Sequence, residues 1–250
     1  MLVNLRAYHR PATLAEAVGL LHEGTAALLA GGTELLGLED DQVEAVVDLS
    51  PLGLDAIRQE GNHLHIGAMV TLGRLAEAEA VAGLAGGILA RAIRQSAPAT
   101  IRAAATLGGT LAGAKGGEEV PTVLLALGAR VTLATPDPVD LPLEVLLANR
   151  SDVMAGAIIT EVTLPLQHSQ GGFAFVSRTP ADRAIVCAAV AGDRTAVGGV
   201  SREPRLLSDQ TDFDAWPTAT DHRAGAEYRR LVAPVLVRRA RAQARGEGQA

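Results

Sequence analysis

The sequence predicts an α+β fold, and three observations carry that reading. Short apolar runs and one period-two alternation are interleaved with capped helical stretches. Two glycine-rich turns, Leu28-Leu29-Ala30-Gly31-Gly32-Thr33-Glu34 and Ala104-Ala105-Thr106-Leu107-Gly108-Gly109-Thr110, are each entered from an apolar run. Beyond residue 172 three strand-like segments follow one another, the last two joined by a hairpin turn.

In chain order, Thr13-x-x-Glu16 is a capping box. The helix after it turns Leu14, Ala17, Val18 and Leu21 to one face, and Gly24 is its stop signal. Leu28 to Ala30 reads as a short buried strand running into the first glycine turn. Val43 to Leu49 reads as another, closed by Ser50-Pro51. From Gly61 the pattern changes: His63 to Ala68 alternates as a half-buried strand does. Thr71 caps a helix holding Leu72, Leu75 and Ala76, and a second helix covers Leu84 to Gln95. After the second glycine turn, Val120 to Leu127 forms a helix with Pro121 near its start and Gly128 just past its end. Strands at Arg130–Ala134 and Ile158–Leu164 complete a unit that ends near Pro165.

His168-Ser169-Gln170-Gly171-Gly172 reads as a linker. Strands are expected at Phe173–Ser177, Ile185–Ala191 and Ala196–Val200, with Gly192-Asp193-Arg194 as the hairpin turn. An amphipathic helix begins near Ala224 and carries Tyr228, Leu231, Val232, Val235 and Leu236. Pro234 is expected to kink or split it, because proline removes a helical hydrogen bond, and the basic tail from Arg238 is expected to fray. No internal repeat is present.

The 250 residues suffice for one large domain or two modest ones. Hydrophobic residues make up 48% and aromatics only 2%, so the core is built from Ala, Val, Leu and Ile. With 22 basic against 28 acidic residues the net charge is −6, which argues against nucleic acid or an anionic membrane surface as the main partner. No run approaches the ~18 apolar residues of a membrane span, and a cytoplasmic protein is expected. The single cysteine, Cys187, sits in an Ala/Val/Ile run and reads as a core residue; it allows neither a disulfide within the chain nor a multi-cysteine metal or iron–sulfur site.

A glycine pair followed by a hydroxyl residue lets backbone approach a ligand closely and leaves consecutive N–H groups to converge on an anion. Two such segments point to a ligand with two phosphates gripped from two sides; the competing reading is a pair of tight strand-to-helix connections with no ligand. Neither segment has the G-x-G-x-x-G spacing of a nicotinamide site. His63 and His65 share a strand face, but no third ligand stands near, so they read as surface histidines rather than a metal pair. Lys115 reads equally as a phosphate contact or a solvated lysine. Glu118 and Glu119 either face a ligand or favour the dipole at the start of the following helix. No Ser/His/Asp or Cys/His constellation is present, and chemistry at this chain belongs to a cofactor.

These residues together resemble the FAD-binding (medium) subunit of molybdenum hydroxylases, the carbon monoxide dehydrogenase and xanthine dehydrogenase family. The resemblance rests on Tyr8-His9-Arg10-Pro11, on Ala30 to Leu35, on Val47-Asp48-Leu49 and Ile66-Gly67-Ala68, and on Ile101-Arg102 with Ala105 to Gly109. Pro121-x-x-Leu124-Leu125, Arg178-x-x-x-Asp182-x-Ala184 and Glu227 to Arg230 extend it nearly end to end. It implies a two-part FAD domain of the vanillyl-alcohol-oxidase (PCMH) type over residues 1–167, with subdomains of about 1–55 and 56–167. Residues 168–250 would form a shortened C-terminal domain of three antiparallel strands with helices.

The resemblance also implies FAD as this chain's cofactor. The molybdenum cofactor would sit on a large partner subunit and two [2Fe–2S] clusters on a small one. Electrons would run from the clusters through this FAD to an outside acceptor, and no residue here would be catalytic. Carried over, the backbone of Leu29, Ala30, Gly31, Gly32, Thr33, Glu34 and Leu35, and of Ala105, Thr106, Gly108, Gly109 and Thr110, would cradle the pyrophosphate. Glu119 would bond cofactor hydroxyls, and Ile159 would pack near the isoalloxazine ring. Thr110 stands where relatives usually have Asn, and Ala114 to Glu119 where they have an acidic-proline segment ending in Asp. The alternatives are a flavin-free scaffold subunit of such a complex and a stand-alone flavoprotein.

Overall fold

The computed structural model of the chain describes residues 2, 4–22, 25–37, 42–113, 119–180, 182–208, 210–218 and 220–247. Gly24, Lys115 and Glu118, singled out from the sequence, lie outside the described residues.

The N-terminal part is a small parallel sheet. Strand β1 (Ala7–His9) is followed by helix α1 (Leu14–His22), β2 (Ala26–Leu29) and β3 (Ala45–Asp48), in the sheet order β1-β3-β2. The capping box forms with a variation. Thr13 Oγ1 accepts from the Glu16 amide at 3.2 Å, while the Glu16 carboxylate reaches back to the amide of Ala12 at 2.8 Å. Ala17 and Val18 of α1 pack on Val47 and Leu49, with Leu14 and Leu21 at the edge.

The middle part is a five-stranded antiparallel sheet with helices on it. β4 (Ile57–Glu60) and β5 (His63–Gly67) lead into α2 (Leu72–Glu77), α3 (Glu79–Ala82), α4 (Ile88–Ser96), α5 (Ala99–Arg102), α6 (Leu107–Ala112) and α7 (Glu119–Ala126). β6 (Arg130–Ala134), β7 (Val139–Pro142), α8 (Leu143–Ala148), α9 (Arg150–Val153) and β8 (Ile158–Pro165) follow, and the sheet order is β4-β5-β8-β6-β7. Thr71 caps α2 as its spacing predicts, accepting from the Arg74 amide. The helix expected from Leu84 begins only at Ile88. Ala85, Gly86 and Gly87 take left-handed angles (φ +49°, +69° and +74°), and a run of left-handed residues cannot continue a right-handed helix.

The C-terminal part has four strands where three are expected: β9 (Gly171–Val176), β10 (Val186–Ala191), β11 (Arg194–Gly198) and the short β12 (Arg205–Leu206), ordered β12-β11-β10-β9 and all antiparallel. Side chains of β10 alternate between two cores. Cys187, Ala189 and Ala191 join the main core, which also holds residues of α4 and α7; Val186, Ala188 and Val190 pack with Ala233, Leu236, Val237 and Ala240 of the last helix, α10 (Ala226–Ala244). Pro234 does not split α10, and the segment past Arg238 is helical to Ala244 rather than frayed. Burial of Leu236, Val237 and Ala240 against the sheet accounts for both results.

Candidate functional site

The two Gly-Gly-Thr segments meet beside one cleft, but they are built differently. The first leaves β2 at Leu29, crosses Ala30 and Gly31, and turns at Gly32, whose φ of +69° favours a residue without a Cβ. Leu36 N donates to Gly32 O at 3.1 Å and Gly37 N to Glu34 O at 3.0 Å, closing a single tight turn over Leu35–Gly37. The amides of Gly31, Gly32 and Thr33 find no acceptor among the described residues.

In the second segment Gly108 and Gly109 are not a turn: they form the first turn of α6, capped by Thr106. Its Oγ1 accepts from Gly109 N at 3.1 Å. Leu107 N donates to Val70 O at 2.9 Å, Gly108 N to Ala68 O at 2.8 Å and Thr110 N to Thr106 O at 2.9 Å. All four amides are therefore spent inside the protein, and the expectation of free N–H groups fails at this segment. The Thr110 hydroxyl also turns inward, donating to Thr106 O at 2.8 Å.

Gly31 packs against the second segment, and Gly108 against Ala68. A Cβ on Gly31 would collide with the Ala104 carbonyl, and one on Gly108 would lie 2.7 Å from Ala68 Cβ and 3.0 Å from Ala68 O. Close approach of backbone to backbone thus explains part of the glycine pattern without a ligand.

The cleft between them has a volume of about 310 Å³. Residues 30–35 line one side; Ala105, Thr106, residues 108–110 and Ile159 line the rest, so twelve of the fourteen residues expected at a cofactor site share it. Leu29 and Glu119 do not line it. Leu29 holds β2 in register, its carbonyl accepting from Leu49 N at 3.0 Å. Glu119 is fully buried at the start of α7, where Oε1 accepts from Ala184 N at 2.6 Å and Oε2 has no partner. Burial raises its pKa above the usual carboxylate range, opposed by the Ala184 hydrogen bond.

Sequence reasoning missed the apolar wall, including Leu28, Leu49, Met69, Leu72, Ile101 and Met154, and it missed Arg183. Leu28, Leu49 and Leu72 fall in predicted strands or a helix, and nothing in those patterns says which such residue faces a cleft; Met69, Ile101 and Met154 carry no periodic signal. Arg183 directly follows Asp182 of the Arg178-to-Ala184 motif, which was the one available signal.

The other candidates resolve as structural groups. His65 Nδ1 lies 2.7 Å from Glu161 Oε1, and Arg58 Nη2 pairs with Glu161 Oε2 at 2.7 Å, while His63 is exposed. Among the described residues no cluster of His, Cys, Asp or Glu could hold a metal ion, and no helix is long and apolar enough to cross a membrane. Cys187 is buried, 3.5 Å from Thr122 Oγ1.

The apolar cleft, edged by amides without an acceptor among the described residues, has the form of a cofactor site. Residues 3–167 match the family described as the FAD binding domain in molybdopterin dehydrogenase, and the chain belongs to that family. The chain is 28% identical to the carbon monoxide dehydrogenase medium chain of Afipia carboxidovorans, covering 96% of this chain and 97% of that one. It is 30% identical to the nicotine 6-hydroxylase medium subunit of Paenarthrobacter nicotinovorans, over 82% and 78% of the two chains. A chain of the reconstituted CO dehydrogenase from Oligotropha carboxidovorans superposes with a TM-score of 0.86 at 26% identity, covering 99% of this chain and all of that one. The fold is accordingly the α+β fold of these flavin-domain chains, and the chain is a component of an oxidoreductase.

Proposed function

We propose that this chain is the FAD-carrying subunit of a molybdenum hydroxylase complex. A large molybdopterin-binding subunit and a small iron–sulfur subunit with [2Fe–2S] clusters would be its partners. Substrate is oxidised elsewhere, and this chain receives the electrons. The observation that carries the reading is the row of unpartnered amides at Gly31, Gly32 and Thr33 on the edge of an apolar cleft. Converging N–H groups suit a diphosphate, and the apolar walls suit a flat ring. When bound, FAD supplies a two-electron acceptor that hands electrons on to an outside acceptor.

The chain's own residues bind, orient and shield. The backbone of residues 30–35 forms the anion cradle, with the Thr33 hydroxyl as an added donor. Ala105, Thr106, Gly108, Gly109 and Thr110 form the opposing wall, contributing shape rather than amides. Ile159 packs on the ring and excludes water. Glu119, fully buried outside the cleft and accepting from Ala184 N, is not assigned to a cofactor hydroxyl. No residue is assigned as a catalytic acid or base. The proposal divides the chain at residues 167 and 168, in keeping with the extent of the family match, and places it in the cytoplasm, where a lone thiol stays reduced.

Titration of the purified chain with FAD, with FMN as control, tests the reading. Saturable binding of FAD but not FMN is expected. Absence of flavin even from the assembled complex would instead favour a flavin-free scaffold subunit, a reading to which the spent amides of the second segment lend support. Glu119→Ala should cost about 1–3 kcal/mol of stability through the lost Ala184 hydrogen bond and leave FAD affinity unchanged, because the carboxylate lies outside the cleft. A weakened Kd would instead assign the carboxylate to the cofactor.

A further inference from the structure

Arg150, at the start of α9, ties the C-terminal part of the chain to the wall of the cleft. Its Nη2 donates to Glu203 Oε2 at 2.6 Å, and its Nη1 donates to the carbonyl of Gly113. Both side chains are largely withdrawn from water, at 12% and 20% exposure. Glu203 lies between β11 and β12, and its own carbonyl accepts from Ser201 Oγ at 2.6 Å, which stiffens that turn.

Gly113 closes α6, donating its amide to Gly109 O at 2.9 Å, and it lines the cleft. A Cβ added there would run into the Glu34 carboxylate, so the last turn of α6 rests directly on the first glycine segment. One guanidinium therefore spans the sequence distance between a cleft wall and the sheet of the C-terminal part. A charge-assisted pair with two separate acceptors fixes direction as well as distance. Arg150 Nε is buried without a partner among the described residues, so the side chain carries a desolvation cost that an exposed arginine would avoid.

We propose that Arg150 is a positioning residue for the cofactor cleft, pinning Gly113 to Glu203 so that α6 keeps its place against Glu34. The inference rests on the reading of the cleft as an FAD site. Removing the guanidinium lets the end of α6 move and the cleft loosen; removing the Glu203 charge does the same to a smaller extent, through Arg150.

The test uses the full chain with Arg150→Met, Arg150→Lys, Glu203→Gln and the Met/Gln double variant. Two readouts are taken: FAD affinity by titration, and amide exchange at Gly113 on the ligand-free chain. Arg150→Met should lose at least tenfold in FAD affinity and Glu203→Gln about threefold. The double variant should lose no more than Arg150→Met, since coupled residues are non-additive. Arg150→Lys, which keeps the charge, should regain part of the loss, a rescue that a merely space-filling role would not give. Gly113 exchange should quicken in Arg150→Met and in Glu203→Gln, an isosteric change that guards against an Arg150→Met chain that fails to fold. Wild-type FAD affinity in both single variants, or losses that multiply in the double variant, would overturn the proposal. Unchanged exchange at Gly113 would overturn it as well. A wild-type chain that binds no FAD, yet loses Gly113 protection in the variants, overturns the flavin reading and leaves the clamp standing.

Discussion

The first and second Gly-Gly-Thr segments share a sequence signature and have opposite hydrogen-bond economies. At Gly31–Thr33 the amides have no acceptor among the described residues; at Leu107–Thr110 every amide is used by Val70, Ala68 or Thr106. The glycines differ as well. Gly32 is there for its left-handed turn, while Gly31 and Gly108 are there because another backbone stands where a Cβ would go. A glycine pair marks close approach, and only the accounting of N–H groups tells whether the thing approached is a ligand or the protein itself.

Substitutions can break or sharpen this contrast. Gly31→Ala should have the largest effect, because its Cβ meets a backbone carbonyl that cannot rotate away. We expect a loss of about 3 kcal/mol in urea unfolding, with Gly108→Ala somewhat milder because its Cβ would come less close to Ala68 than one on Gly31 comes to Ala104. A chain that tolerated Gly31→Ala at full stability would remove the packing explanation.

Gly32→Ala should cost about 1–2 kcal/mol, the penalty of a left-handed L-residue. It should also lower FAD affinity, since relaxing the turn redirects the amides. Stability lost with affinity retained would separate the turn from the cradle.

The two threonines give the smallest and sharpest comparison. Thr106→Ala removes a helix cap and should cost about 1 kcal/mol of stability. The Thr33 hydroxyl has no partner among the described residues, so Thr33→Ala should leave stability within about 0.5 kcal/mol while weakening FAD binding by about 1 kcal/mol. Equal stability losses at both positions would erase the distinction between the segments.

Much of this was legible in the residues. Period-two alternation at His63–Gly67, the Thr71 and Thr13 caps, and the hairpin at Gly192-Asp193 are local signals, and local physics determines them. Strands β1, β4, β7 and β12 were not foreseen. They are short, mostly exposed edge or flanking strands with little apolar content, as in Arg58-Gln59-Glu60. The α10 helix itself was legible, but the expected split and fraying did not appear: proline and charge argue locally for a break, and tertiary burial of Leu236 and Ala240 overrides them. At the site, the glycine segments could be read directly. Arg150 could not, because its role depends on Gly113 and Glu203, which sequence separates and the fold brings together.

The alternation of β10 between two cores bears on how the molecule comes apart. Cys187, Ala189 and Ala191 belong to the core of the preceding 167 residues, while Ala188 and Val190 belong to that of α10. The proposed division between residues 167 and 168 would therefore be no boundary in unfolding. The expected linker is only partly one, since Gly171 and Gly172 belong to β9; separating the two parts would bare a hydrophobic face on each, so the chain should melt in a single cooperative step rather than two.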